Sequence, residues 1–454
     1  MKFRRFFSVF FALLISVQLC SISFAAEGDI GDWEVLAKAA LLVDPETGEV
    51  LYARNIHEKL YPASLTKVMT ALLVLEAIKA GDLAMDTVLT ASESAVADIP
   101  NDASSAGIVV GEELTVEQLL HCILVVSANE ACNILAESVS GSVDAFVARM
   151  NERAAELGCE NTHFVTTNGL HSVDHYTTAW DLYLITREAI THDVFLRICN
   201  TKFCEVPPTN MRKDSRRYST TNHLISTARQ RHYLYEGANG VKTGYTSAAG
   251  SCLIATAGRS GRSLLSVVLG GDRVSLGDGV VDDWSFYETI RLFDYGFDGF
   301  QRAVILETSE LIDEVEVTLS QEQNSVKVHP AESVECLIPS EITPAEIERT
   351  ITLFSESIEA PVFKGQVLGQ VTLSYKGTVY ATVDLLADED ISESRLLVFQ
   401  RDALNFINST KFKLGLAAAG GVIVMIMMLS LSIRKRRRRR SDSSRRSGYR
   451  GRKR

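Results

Sequence analysis

A hydroxyl and an amine three residues apart, Ser64 and Lys67, head the run YPASLTKVMTALLVLE at residues 61–76. In a helix that spacing puts both side chains on one face, a turn apart. Lysine is seldom fully buried, because its ammonium loses hydration there, yet a helix of this composition would be apolar nearly all round. Two outcomes are open. Lys67 can sit at the helix end and carry its amine out to water. Alternatively it is kept dry beside Ser64, where desolvation lowers its pKa and makes it a base. A serine hydroxyl is a poor nucleophile until a base takes its proton. At a helix start the Ser64 N–H is also unpaired and free to donate to a developing oxyanion.

Two further motifs follow in order, Ser127-Ala128-Asn129 and Lys242-Thr243-Gly244. Ser127 can relay a proton to a leaving amine, and Asn129 can hold a substrate amide. Lys242 and Thr243 on an edge strand would bind a terminal carboxylate, and Tyr245 offers a second oxyanion N–H. Lys242 is expected to act as a second cation that lowers Lys67 further. Each motif alone is weak: S-x-x-K arises by chance, and K-T-G alone reads as a strand-end lysine and a turn glycine. The ordered trio favours the buried base. His171 and His175, as H-x-x-x-H, lack an acidic partner pattern and read as loop packing rather than a metal site.

These residues need elements to hold them. KAALLVDPETGEVLYARN reads as a hairpin turned at Asp44, Pro45 and Gly48. The Ser64 helix follows, then a polar, loop-rich stretch around ASESAVADIPNDASSAG. LTVEQLLHCILVVS and NEACNILAESV are helical, with Ser127 and Asn129 at their join. Thr178 and Asp181 resemble a capping box at TTAWDLYLITREAI. From Gly240 the period becomes two, through VKTGYT, SCLIATAG and SLLSVVLGG, an antiparallel set closed by the helix DDWSFYETIRLFDYGF. Residues 30–298 thus form a mixed α/β catalytic domain. Residues 300–390 alternate apolar and polar in five strand-like runs and form a small all-β domain with no catalytic combination.

The ends of the chain differ from its body. MKFRRFFSVFFALLISVQLCSISFAA has the basic start, apolar stretch and small residues of a signal peptide over 1–26. Gln18 and Leu19 before Cys20 are poor for a lipoprotein site. Residues 391–413 form a juxtamembrane segment of partly amphipathic character. Residues 414–433 are uncharged and long enough to span a membrane. The tail 434–454 holds 13 Lys/Arg and one acid, Asp442, which predicts a single-pass protein with a cytoplasmic tail and an outer catalytic body. Residues 27–433 then carry 30 Lys/Arg against 56 Asp/Glu, so no nucleic-acid surface is expected on that body. Seven cysteines outside the signal are too scattered for a disulfide framework and show no zinc spacing.

The ordered trio is the signature of penicillin-binding proteins and class A β-lactamases. YPASLTKVMTALLVLE, LVVSANEACNILAE, THFVTTNGL with HYTTAWDL, and GVKTGYTSAAGSCLIATA resemble the low-molecular-mass penicillin-binding proteins of the D-alanyl-D-alanine carboxypeptidase family, closest to its Gram-positive and sporulating members. APVFKGQVLGQVTL resembles that family's C-terminal β domain. The resemblance covers about 30–390. It implies a β-lactamase/transpeptidase-like catalytic fold, no cofactor or metal, peptidoglycan stem peptides as substrate and β-lactams as inhibitors. It also implies that Ser64 is the acyl-enzyme nucleophile, Lys67 the base, Ser127 and Asn129 the second motif, and Lys242 the carboxylate binder. Ala128 replaces the family's common glycine. The arginine that some members use for the carboxylate has no clean equivalent; Arg273 is the nearest candidate, and Ser285 stands near that slot. A β-lactamase would need a glutamate loop, and no E-x-x-L-N lies between the second and third motifs. A non-catalytic, membrane-tethered wall-binding scaffold would not need an intact trio.

Overall fold

A computed structural model describes residues 35–447 apart from 98, 229, 278 and 279. The expected signal peptide lies outside the described residues. The expected hairpin forms as β1 (Ala39–Val43) and β2 (Val50–Arg54), its turn held by Asp44 Oδ1, which accepts the N–H groups of Glu46 and Thr47. A single 3-10 turn, Ala63–Thr66, leads into α1 (Lys67–Ala80). Every residue of α1 from Lys67 to Leu75 is buried, so it is the central helix of its layer; Gly81, at φ 85°, ends it.

The stretch expected to be a polar loop is more ordered than that. β3 (Val88–Thr90) precedes it, and α2 (Glu93–Ala97) lies within it. Ser92 caps α2 by accepting the Ala95 N–H, and Glu137 accepts the hydroxyls of Ser92 and Ser94. That anchor lies over 40 residues away, beyond the reach of local pattern. β4 (Glu113–Thr115) pairs with β3. Thr115 and Gln118 form a capping box on α3 (Val116–His121), which widens into a π turn at Cys122–Val126. α4 (Asn129–Ser140) and α5 (Val143–Glu156) follow; α5 is not among the expected helices. The expected cap at Thr178 starts α6 (Ala179–Ala189), and α7 (Asp193–Cys199) comes next.

β5 (Phe203–Val206) and β6 (Arg216–Ser219) make a ribbon. β7 (Ala238–Thr246), β8 (Gly250–Arg259) and β9 (Arg262–Gly271) complete an antiparallel sheet of order β2-β1-β9-β8-β7, with β7 at its edge. β10 (Arg273–Gly277) pairs with β11 (Val280–Asp283), and α8 (Trp284–Gly299) follows. Strand alternation divides the core. Ala39, Leu41 and Val43 face the cluster built on α1, α3 and α4, whereas Ala40 and Leu42 join Phe286, Leu292 and Phe293 of α8. The sheet is thus sandwiched between helices.

The β-rich region runs through β12 (Phe300–Leu306), β13 (Asp313–Thr318), β14 (Ser325–Pro330), β15 (Val334–Pro339), β16 (Glu348–Leu353), β17 (Ser357–Glu359), β18 (Val367–Tyr375) and β19 (Thr378–Ala387). β12 pairs with β15, and a six-stranded sheet has the order β16-β18-β19-β14-β13-β17. α9 (Arg395–Asn408) and α10 (Thr410–Ser447) follow. Within α10, the 28 residues Thr410–Arg437 are long and apolar enough to cross a membrane. The chain divides into two compact units. One holds the described residues through Ile305 with Glu335–Glu348 and Ser374–Ala381; the other holds Leu306–Val334, Arg349–Leu373 and the residues from Thr382.

Candidate active site

The Lys67 amine points inward. Lys67 is 0% exposed, and its Nζ lies 2.8 Å from Ser64 Oγ, 2.8 Å from Asn129 Oδ1 and 2.6 Å from the Asn168 carbonyl oxygen. Three acceptors match the three N–H groups of an ammonium. A neutral amine has one fewer N–H and a lone pair, which can take the Ser64 proton. Burial lowers the Lys67 pKa to about 8, against opposing contributions from Cys132 and Glu130. Desolvation is the leading cause of that shift. The two buried amines also repel each other: burial first and Lys67 second lower Lys242 to about 7.

Ser64 sits in a strained corner. Ala63 before it has φ 49°, a conformation uncommon for a residue with a Cβ. Two glycines let backbone approach this corner. A Cβ on Gly169 (φ 84°) would lie 1.8 Å from the Ala63 carbonyl oxygen, and one on Gly244 would lie 2.9 Å from the Pro62 carbonyl oxygen and 3.1 Å from Ser64 N. Edge strand β7 therefore runs directly against the Ser64 turn. That places the backbone before Tyr245 beside the Ser64 N–H, where two oxyanion donors would have to converge.

Ser127 ends the π turn at φ 68°, and its hydroxyl is buried without a hydrogen-bond partner among the described residues. The positive φ falls on Ser127 and not on Ala128, whose φ is −62°. An alanine there meets no backbone penalty, which explains why the departure from glycine is tolerated. Asn129 opens α4 and is committed to Lys67.

A cavity of about 550 Å³ opens over these groups, lined by Ser64, Ser127, Asn129, Thr243, Tyr245 and Arg273 among others. Lys67 and Lys242 are buried beneath it and are not among its lining residues. Lys242 donates to the Thr243 carbonyl at 2.8 Å, while the Thr243 hydroxyl meets that of Thr221 at 2.7 Å. At one end Arg273 stacks over the exposed Tyr245 ring, 4.6 Å from its centroid, and its Nε is 3.8 Å from Asp283 Oδ2. Asp283 Oδ1 accepts from the hydroxyls of Ser251 (2.5 Å) and Ser285 (2.7 Å). Ser285 therefore belongs to a buried polar network at the cavity's end, and Arg273 reaches the cavity from β10.

His175 Nδ1 accepts the Val165 N–H (3.0 Å), which leaves Nε2 to carry the proton toward Thr66 Oγ1 at 2.8 Å. Burial lowers its pKa to about 4, so it stays neutral and braces the loop. His171 packs edge-on to Tyr61. Among the described residues no three His, Cys, Asp or Glu side chains are grouped to hold a metal. Sequence reasoning missed the Asn168 carbonyl, Thr221 and the Thr66–His175 brace. The signal for the first was present, since THFVTTNGL stands out in the chain, but a backbone carbonyl carries no residue-type signature.

The family described as D-alanyl-D-alanine carboxypeptidase matches residues 24–273, and that described as the C-terminal domain of penicillin-binding protein 5 matches 300–393. The D-alanyl-D-alanine carboxypeptidase DacF of Bacillus subtilis is 31% identical over 380 residues, covering 83% of this chain and 91% of the relative. DacC of Escherichia coli, of the same description, is 30% identical over 375 residues, covering 82% of this chain and 88% of its own. Penicillin-binding protein 5 from Haemophilus influenzae superposes with a TM-score of 0.60 at 30% identity, covering 80% of this chain and all of that one. On a family match over more than half its length and relatives matched nearly end to end, the chain belongs to the D-alanyl-D-alanine carboxypeptidase family.

Proposed function

We propose that this serine-type D-alanyl-D-alanine carboxypeptidase acts on peptidoglycan stem pentapeptides through an acyl-enzyme on Ser64. The observation that carries this reading is the fully buried Lys67 amine 2.8 Å from Ser64 Oγ. Neutral Lys67 takes the hydroxyl proton as Ser64 Oγ attacks the carbonyl carbon of the penultimate D-alanine. The backbone N–H groups of Ser64 and Tyr245 receive the oxyanion. Ser127, whose hydroxyl is otherwise unpartnered, passes a proton to the leaving nitrogen, and D-alanine departs. Water then hydrolyses the ester. Asn129 orients both Lys67 and the substrate amide. The terminal carboxylate falls to Thr243 and Arg273 at the cavity surface, with the Lys242 ammonium beneath them.

A β-lactam presents its ring amide to the same serine and traps it. The anchor is the apolar part of α10, and the arginines that follow it favour a cytoplasmic tail with the catalytic body outside. Labelled penicillin will acylate the wild type, and Ser64→Ala will take up none. D-alanine release from a diacetyl-Lys-D-Ala-D-Ala peptide will be lost in the same variant. Wild-type labelling of the alanine variant rejects the assignment of the nucleophile.

A further inference from the structure

We propose that Glu130 is a positioning residue of this site: its buried carboxylate ties segment 104–108 to the Ser127–Asn129 turn and supplies counter-charge to the Lys67 ammonium. The proposal rests on the reading of Lys67 as the base. Glu130 follows Asn129 in the first turn of α4 and is 1% exposed. Its Oε1 accepts from the Ala106 N–H (2.7 Å), the Ser105 hydroxyl (2.7 Å) and, at 3.4 Å, the Ile108 N–H. The Asn129 N–H donates to the Ser104 carbonyl at 3.0 Å. Ser104, with Pro100, Asp102 and Ala103, lines the cavity.

From the opposite side β6 takes the carbonyls of the same segment. Arg216 Nη1 donates to Ala106 O (3.1 Å), and the Tyr218 hydroxyl donates to the same oxygen at 2.6 Å. A carboxylate thus holds the segment's N–H groups while a guanidinium and a phenol hold its carbonyls. The cavity wall is clamped to the element that carries Ser127 and Asn129.

Glu130 Oε2 is buried with no hydrogen-bond partner among the described residues. Such an oxygen is costly unless a cation lies near. Arg216 is engaged by Glu112 at 2.5 Å. The titratable groups whose charges couple to Lys67 are Glu130 and Cys132 from α4, Lys242 from β7 and His175 from its loop. Burial pushes the Cys132 thiol up to about 12 and lowers His175 to about 4, so both are neutral near pH 7. Cys122, which also feels Glu130, is pushed up by burial as well. That leaves Glu130 as the negative charge acting on Lys67 among these groups.

The test is the limiting rate of acylation at saturating labelled penicillin, measured against pH on the full chain, with amide hydrogen exchange at Ala106 and Ile108. Glu130→Gln keeps an acceptor for the Ala106 N–H and removes the charge. Its acid limb should move down by roughly half a unit, raising the rate at pH 6 about threefold relative to the plateau. Glu130→Asp keeps the charge on a shorter arm. It should retain the wild-type limb while the two amides exchange at least about tenfold faster. An unmoved limb in Glu130→Gln overturns the proposal whatever the exchange shows, as does an equal shift in both variants. Failure of the Lys67 reading is distinguishable, because it would show in the wild-type profile itself as the absence of a limb near pH 8.

Discussion

Replacing Lys67 by methionine keeps the length and apolar stem of the side chain and removes the amine that contacts Ser64, Asn129 and Asn168. A pKa of about 8 makes the wild-type profile specific. The neutral fraction of Lys67 is roughly 1% at pH 6, about 9% at pH 7 and about half at pH 8. The limiting acylation rate should therefore rise about tenfold from pH 6 to 7, about fivefold from 7 to 8, and level off above about pH 9. An ordinary solvated lysine would instead give a rise of about tenfold per unit up to about pH 10. Lys67→Met should lose the limb together with a factor of about 10² to 10⁴ in rate, the usual contribution of a positioned general base. Saturating penicillin removes the effect of Lys242 on binding, so what remains is the titration of Lys67 in its coupling to Lys242. A wild-type rate still climbing tenfold per unit beyond pH 9.5, or a methionine variant acylated at the wild-type rate, refutes the reasoning.

Two other perturbations separate structure from chemistry. Gly169→Ala would put a Cβ 1.8 Å from the Ala63 carbonyl at φ 84°, so the backbone must move by more than about an ångström, at a cost of about 3 kcal/mol. Thermal unfolding should show the loss, and acylation should fall because Asn168 O moves off Lys67; unchanged melting would refute the close approach. Stability should also depend on pH through the buried lysines. Both folded pKa values lie below the ordinary lysine value of 10.5, so the unfolded chain binds more protons and stability rises with pH, from about 8 to 10.5 for Lys67 and from about 7 to 10.5 for Lys242. The Lys67 part amounts to about 3 kcal/mol and should vanish in Lys67→Met, as urea unfolding across pH 7–10 can measure.

Much of the site was legible because its parts are local. Ser64 and Lys67 share a face through helix geometry, Ser127 marks a join between two apolar runs, and the period-two pattern from Gly240 identifies β7 and its neighbours. The apolar character of α1 on nearly every side was legible too, and the helix is buried from Lys67 to Leu75. Less legible were α2, whose cap depends on Glu137, and α5, a helix with a largely polar surface. How near Lys242 comes to Lys67 was not legible either, since sequence spacing gives no distance between them.

By itself the order of residues determined which chemistry this chain is equipped for: a hydroxyl beside an amine, a second serine with an asparagine, and a cationic strand. Side-chain type and helix or strand period are local properties, and they survive in a linear text. Tertiary structure alone decided that the amine is dry, that its third acceptor is a carbonyl 101 residues away, and that a glutamate adjoining the second motif grips the cavity wall. Burial and backbone acceptors depend on what packs against a residue, and packing is set by distant segments that the local sequence does not name.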